Sequence, residues 1–139
     1  MFPSDANPAG NVFGGAILKH IDMVAGIVAQ RYSQSNAVTV SMDKISFLKP
    51  VFVGNVLFVN ARVNYVQKSS MEIEVNVEAE DIAKGTRVHT GNAYVTFVAL
   101  DNNGKPTPVP TLCIDNPEDQ KRFDEGKLRM EHRIKERKK

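Results

Sequence analysis

The chain has 139 residues, which is the usual length of one domain. Lys and Arg total 18 and Asp and Glu total 16, so the net charge of +2 lacks the basic excess typical of a dedicated nucleic-acid-binding protein. The 42% hydrophobic content argues against a disordered chain, and no apolar run reaches the roughly 18 residues of a membrane span. The single cysteine, Cys113, favours a reducing compartment, and we expect a cytoplasmic protein.

The charge is concentrated near the C-terminal end. Residues 118–139 contain nine basic and six acidic side chains, so the first 117 residues carry a net charge of −1. Three prolines between residues 105 and 110 lie before this segment and disfavour regular strand pairing. We therefore divide the chain into a nearly neutral body, 1–110, and a charged tail, 111–139. Within the tail, we expect residues 116–136 to form a largely solvated helix.

The first regular element is a helix from about Gly15 to about Gln34, after a stretch rich in proline and glycine. Apolar residues occupy nearly the whole circumference of this helix, and only a narrow strip is polar. A helix of this kind is usually buried. Its small residues would let a sheet approach closely; they are Ala25, Gly26 and Ala29.

Four strands follow the helix, at about 38–50, 56–66, 71–80 and 87–100. In the third strand, apolar residues alternate with a row of acidic residues that we interpret as a solvated face: Glu72, Glu74, Glu78 and Glu80. The turns are too short for crossover helices, so the sheet must be antiparallel. One buried helix and four such strands predict the α+β hotdog fold, in which a curved sheet wraps around one long helix. Exposed sheet edges predict at least a homodimer.

The most informative motif precedes and enters this helix. Residues 5–22 have the pattern Asp-Ala-Asn-x-x-Gly-Asn-Val-Phe-Gly-Gly-x-Ile-Leu-x-x-x-Asp, which resembles the hotdog acyl-CoA thioesterases. The resemblance covers residues 3–100 and includes the segments at 46–50 and 69–70. It implies hydrolysis of fatty acyl-CoA to a free fatty acid and coenzyme A, without a separate cofactor because coenzyme A belongs to the substrate. It also suggests a hexamer built as a trimer of dimers.

Asp22 is the first candidate for a catalytic residue. An aspartate on a helix is commonly a solvated surface residue, but this helix is so apolar that the carboxylate would lack solvent unless it lined a cavity. The resemblance assigns the matching aspartate the role of general base or nucleophile, and the sequence does not separate these roles. It assigns a second catalytic role to Asn11, which otherwise reads as an ordinary turn residue.

Glycines at the start of the helix are candidates for stabilising a developing oxyanion. Free N–H groups at a helix N-terminus suit that task. We expect the N–H of Gly15 to polarise the thioester carbonyl, and the neighbouring Gly14 to contact the substrate. Gly15 and Asp22 are separated by a rise of about 10 Å, so one carbonyl cannot contact both in the same chain. If both take part, the site lies at a dimer interface, with Asn11 and Gly15 of one chain facing Asp22 of the other.

A turn between the second and third strands is a candidate for coenzyme A binding. Lys68, Ser69 and Ser70 read most simply as a hairpin turn, and the resemblance supports contacts of these residues with pantetheine or phosphate groups. His20, His89 and His132 lack ligand spacing, and the sequence indicates no metal site.

Two other functions fit the same fold. A hotdog protein could bind acyl-CoA or an acyl carrier without hydrolysing it, although such a protein has no need of a buried carboxylate. A hotdog dehydratase would need a catalytic histidine near an acid, and this helix offers no well-placed pair. We therefore expect a thioesterase.

Overall fold

The computed structural model describes residues 14–137 and contains two helices and four strands in this region. In chain order they are α1 (Gly14–Ser33), β1 (Asn36–Phe47), β2 (Val56–Gln67), β3 (Ser70–Asp81), β4 (Thr86–Leu100) and α2 (Pro117–Arg137). Their type and order confirm the sequence prediction; β1 ends about three residues earlier than predicted, and the other ends differ from the prediction by no more than about two residues.

The four strands form one antiparallel sheet in the order β1-β4-β3-β2. Two tight hairpins join β2 to β3 and β3 to β4, whereas β1 pairs with the last strand rather than with its neighbour in sequence. Strands β1 and β2 are therefore the two edges of the sheet. This arrangement around a single long helix confirms the predicted hotdog fold.

Helix α1 packs on one face of the sheet through residues spaced four apart: Ile17, Ile21, Ala25 and Ala29. They contact the apolar side of β3, formed by Met71, Ile73, Val75 and Val77. Each fully buried large side chain contributes about 1.5–3 kcal/mol. The alternation predicted for β3 is thus confirmed on this side of the sheet.

The acidic side of β3 differs from the prediction. Helix α2 covers part of it, and Glu72 is only 3% exposed, so the expectation of a fully solvated row is wrong for this residue. Arg129 of α2 donates two hydrogen bonds to the Glu72 carboxylate, at 2.6 and 3.0 Å. The guanidinium also lies 3.7 Å above the centre of the Tyr94 ring. A charged helix can cover a charged strand because arginines pair with the acids that it buries.

The tail is therefore less solvated than expected. Met130 of α2 is buried, and the Phe123 ring packs edge-on against Tyr65 with 4.8 Å between the ring centres. The preceding linker is also attached to the sheet, because Thr107 and Val109 donate backbone hydrogen bonds to the carbonyl oxygens of Ala99 and Lys68. The prolines exclude a regular strand but allow these single bonds.

Gly126 permits the close approach of α2 to the sheet. A Cβ atom at this position would lie 2.8 Å from the Tyr65 Cβ and 3.0 Å from a Glu72 carboxylate oxygen. We expect Gly126→Ala to lower the free energy of unfolding by about 1–3 kcal/mol because of this overlap, although alanine favours a helix by about 1 kcal/mol over glycine. Urea unfolding measures the change. Lys127→Ala, at the adjacent exposed position, is the control, and a Gly126→Ala protein as stable as the parent would contradict this packing.

Large apolar side chains are exposed along α1 and the edge strand β1. Met23 and Ile27 of α1 are 54% and 50% exposed, and Val38 and Val40 of β1 are each 42% exposed. Within residues 14–137, no further strand pairs with the outer side of β1. Neither helix of this region combines the length and the apolar character that a bilayer crossing requires.

Candidate active site

Asp22 lies on the flank of α1 that faces β1. The Thr39 hydroxyl donates a hydrogen bond of 2.8 Å to one carboxylate oxygen of Asp22. Asp22 is half-buried within the single chain, so its carboxylate is only partly removed from solvent, less than the sequence predicts. The helix is less enclosed than its composition predicts because its Met23 and Ile27 face outward. The second carboxylate oxygen of Asp22 has no hydrogen bond from a described side chain.

Thr39 is a candidate site residue that the sequence analysis missed. Simple alternation puts Val38 and Val40 on the core side of β1 and Thr39 on the other side. The structure has a register shift between Thr39 and Ser41, opposite Phe97 and Thr96. This bulge adds Val40 as an unpaired residue and reverses the alternation. Thr39 consequently lies on the α1 side of the sheet, where it reaches Asp22.

Gly14 and Gly15 form the start of α1. The first N–H groups of a helix have no partner within the helix, so they are available to an external acceptor. A Cβ at Gly15 would meet no other atom within 4 Å, which leaves open space beside it, whereas one at Gly14 would contact the Phe47 ring at 3.6 Å. Asn11 lies outside the described residues, and its assignment stays a prediction.

Lys68, Ser69 and Ser70 form the hairpin between β2 and β3. Lys68 has a φ of 54°, in the left-handed region that a tight turn requires. Ser70 pairs with Val98, which pairs in turn with Val38 at the start of β1. The hairpin therefore lies two strands from β1, about 10 Å away, at the end of the sheet near Thr39. Among the described residues, no side chain of this turn is hydrogen-bonded to Asp22 or Thr39.

Histidine and carboxylate side chains form no cluster suited to a metal ion within residues 14–137. A cavity of about 370 Å³ is present in the same region, but it lies on the α2 face of the sheet and does not include Asp22. The chemistry available near Asp22 in one chain is therefore that of a carboxylate, a hydroxyl and the helix N-terminus.

An antiparallel sheet wrapped around one long helix defines the class of hotdog proteins, and in this chain a carboxylate lies on the helix flank near an open sheet edge. The chain belongs to the Thioesterase superfamily, whose family model matches residues 9–86. This match includes α1, the Asp22–Thr39 pair and the Lys68–Ser70 hairpin.

Relatives in sequence carry consistent names. The cytosolic acyl coenzyme A thioester hydrolase of Rattus norvegicus is 41% identical over 129 residues, which make up 91% of this chain and 34% of the rat protein. The uncharacterized acyl-CoA thioester hydrolase YkhA of Bacillus subtilis is 40% identical over 119 residues, 86% of this chain and 69% of that protein. This chain thus spans about a third of the length of the cytosolic relative.

Solved structures share the fold closely. The acyl-CoA hydrolase of Bacillus cereus superimposes with a TM-score of 0.92 at 36% identity, covering 99% of this chain and 84% of that chain. An apo-hexameric acyl-CoA thioesterase has a TM-score of 0.92 at 33% identity, with 98% and 87% covered. The acyl-CoA hydrolase of Staphylococcus aureus, in complex with butyryl coenzyme A and coenzyme A, has a TM-score of 0.89 at 35% identity, with 99% and 84% covered.

Three further structures of the Staphylococcus aureus hydrolase contain alanine variants. The substituted residues are an asparagine, an aspartate fifteen residues later, and a threonine a further seventeen residues along that chain.

Proposed function

We propose that this chain is an acyl-CoA thioesterase that hydrolyses fatty acyl-CoA to a free fatty acid and coenzyme A. The observation that carries the proposal is the Asp22–Thr39 hydrogen bond on the helix flank of a thioesterase-superfamily fold. The names of the rat and Bacillus relatives support the substrate class, and the name of the rat relative supports a cytosolic setting.

Asp22 supplies the reactive carboxylate in this proposal. It either removes a proton from the water that attacks the thioester carbonyl or attacks that carbon itself, forming an anhydride that water then opens. The Thr39 hydroxyl holds one carboxylate oxygen and leaves the other for the reaction. The Gly15 N–H polarises the carbonyl oxygen, and the thiol of coenzyme A leaves after taking up a proton.

The spacing between residues gives a second candidate for the catalytic asparagine. Asn7, Asp22 and Thr39 are separated by fifteen and seventeen residues, the same intervals that separate the three substituted residues of the Staphylococcus aureus hydrolase. Asn7 therefore stands beside Asn11 as a group that orients water or the carbonyl. Both asparagines lie outside the described residues.

A pair of variants distinguishes these asparagines. We expect Asn7→Ala to lower kcat at least about 100-fold if it positions the reacting groups, and Asn11→Ala to have the smaller effect. The release of free thiol from acyl-CoA measures both rates. The assays need a Cys113→Ser background because Cys113 is itself exposed, although its hydrogen bond to Asp115 raises the pKa of the thiol. A large loss in Asn11→Ala with normal turnover in Asn7→Ala would restore Asn11 to the catalytic role.

Two subunits complete the site in this proposal. The rise of about 10 Å from Gly15 to Asp22 keeps the two groups apart in one chain. The open edge of β1 and the exposed Met23 and Ile27 of α1 offer an apolar surface for a second copy. The hexameric relative supports assembly of such dimers into a trimer of dimers.

Subunit exchange tests the shared site. When Asp22→Ala protein is mixed with the inactive asparagine variant under conditions of exchange, half of the dimers are mixed, and each has one intact site. We expect recovery of about a quarter of the parent activity. Mixing each variant with itself is the control, and activity that stays at the level of these controls would place both groups in one subunit.

Coenzyme A binding at the hairpin completes the proposal. Lys68, Ser69 and Ser70 lie at the end of the sheet nearest to Thr39, within about 10 Å of β1 by strand spacing. Their side chains suit pantetheine amides and phosphate oxygens. We also measure thiol release with acyl-CoA substrates of several chain lengths. If the protein binds acyl-CoA but releases thiol from none of them, it is the non-catalytic acyl-CoA-binding protein instead.

A further inference from the structure

The aromatic ring of Phe47 lies beside the start of α1, at the end of β1. A Cβ at Gly14 would lie 3.6 Å from the Cε2 atom of this ring, and a Cβ at Gly91 would lie 3.6 Å from its Cδ1 atom. Phe47 is paired with Gly91 of β4, so the ring covers two positions that carry no side chain. One edge of the ring is therefore packed against the backbone of α1 and β4.

The backbone at the end of β1 is fixed against β4. Gly91 approaches β1 so closely that a Cβ would lie 2.5 Å from the Ser46 carbonyl oxygen, which only a glycine allows. The N–H groups of Leu48 and Lys49 both donate to the Thr90 carbonyl oxygen, at 2.7 and 3.3 Å. The strand end that carries the ring therefore has a defined position relative to α1.

The other edge of the Phe47 ring is open. This side chain is 49% exposed, although it is large and apolar. Gly15 directly follows Gly14, and consecutive Cα atoms are about 3.8 Å apart, so the ring lies close to the N–H that polarises the carbonyl in the proposed reaction. A Cβ placed at Gly15 would meet no atom within 4 Å. A thioester bound in this space would cover the exposed edge of the ring.

The Phe47 ring and the Asp22–Thr39 pair lie at opposite ends of β1. Gly14 and Asp22 are separated by a rise of about 12 Å along α1, so the ring cannot reach a carbonyl that Asp22 of its own chain attacks. In a two-fold contact between open β1 edges, the strands run antiparallel, and the end of one strand lies beside the start of the other. The ring of one chain then faces Asp22 of the partner subunit.

We propose that Phe47 forms an apolar wall of the substrate site and contacts the methylene groups beside the thioester, while Asp22 of the partner subunit supplies the reactive carboxylate. This inference rests on the proposed function and on its shared site. Methylene groups flank the sulfur in every acyl-CoA, so the contact is the same for short and long acyl chains. An apolar contact made equally in the ground state and in the transition state lowers KM without changing kcat.

The substitution Phe47→Ala tests this wall through KM. We expect the KM for acyl-CoA to rise about tenfold, with kcat within about threefold of the parent, because apolar contact area is lost in both states. The rise in KM should be the same for butyryl-, octanoyl- and palmitoyl-CoA, and Phe47→Leu should retain most of the affinity. Phe52→Ala removes a ring of similar exposure, 51%, from the turn after β1 and is the matched control. A purely structural role would instead lower kcat and the thermal midpoint and leave KM unchanged.

Mixed dimers test which half of the site contains the ring. When Phe47→Ala and Asp22→Ala proteins exchange subunits, half of the dimers are mixed, and each has one site with both parent residues. We expect a kcat/KM of about a quarter of the parent value, compared with about a twentieth for the average of the unmixed proteins. Thr39→Val mixed with Asp22→Ala should show no such gain, because both residues belong to the same half. An absence of gain with Phe47→Ala would place the ring in that half too and overturn the proposal.

A thioether analogue of acyl-CoA, which cannot be hydrolysed, separates this inference from the proposed function. Titration calorimetry should show binding about tenfold weaker for Phe47→Ala and unchanged for Phe52→Ala, whether or not the parent protein releases thiol. A lack of thiol release contradicts the proposed reaction alone. Equal binding by Phe47→Ala and the parent, a loss confined to long acyl chains, or dissociation of the Phe47→Ala dimer on size exclusion would each overturn the wall.

Discussion

Asp22→Asn should lower the turnover of acyl-CoA at least about 100-fold, the usual cost of losing a general base or nucleophile. The amide has almost the same shape as the carboxylate, and its oxygen can still accept the 2.8 Å hydrogen bond from Thr39. The substitution therefore removes proton acceptance and nucleophilic attack while it preserves the local geometry. Thiol release at saturating acyl-CoA measures this loss as a change in kcat.

Two controls make this result specific. Glu80→Gln makes the same chemical change on β3, outside the Asp22–Thr39 pair, and should leave kcat within about twofold of the parent, since surface changes are usually mild. The thermal midpoint of Asp22→Asn should stay close to that of the parent, because the carboxylate is only half-buried. Turnover near the parent value in a folded Asp22→Asn protein would remove Asp22 from the mechanism.

Arg129→Ala should lower the free energy of unfolding by about 3 kcal/mol, the lower part of the range for breaking a buried ion pair. The side chains of Glu72 and Arg129 are 4% and 20% exposed, so the substitution leaves an acid buried without its partner. It also removes the guanidinium from the Tyr94 ring. Burial alone would lower the pKa of Arg129, but its hydrogen bonds and charge attraction with Glu72 outweigh burial and raise it.

A second substitution tests whether the uncompensated acid causes the loss. Glu72→Gln in the Arg129→Ala background should recover part of the stability, because a buried amide costs less than a buried carboxylate. Urea unfolding of the single and double variants gives the coupling between the two positions. Equal stability of Arg129→Ala and the parent protein would mean that α2 does not depend on this pair for its attachment.

The helices and strands follow from local patterns, which is why the sequence predicts them well. The period of two in residues 71–80 and the apolar circumference of α1 are both properties of short windows. The burial of Glu72 could not be predicted in this way, because it depends on Arg129, which lies 57 residues later. Alternation shows that a strand has two faces but not what covers each face.

The candidate site, too, could be predicted from the sequence only in part. Asp22 could be selected from its helix and from the motif before it, whereas Thr39 could not be selected because the bulge at Val40 reverses the alternation. A single unpaired residue has no signature in the composition of β1. The pairing of this strand with β4 creates the bulge, and that pairing depends on residues near 100.

The order of strands in the sheet has a consequence for how the candidate site forms. Strands β2, β3 and β4 are joined by tight hairpins, so their contacts are local and can form early. Strand β1 must find β4 across the whole of that meander, and this closure carries a larger entropic cost. The bulge at Val40 belongs to the pairing of β1 with β4, so we expect Thr39 to be fixed in its position beside Asp22 once β1 has joined the sheet. We therefore expect the Asp22 carboxylate to hold a fixed hydroxyl partner only in the closed sheet, and a chain that lacks the β1–β4 pairing to lack this arrangement.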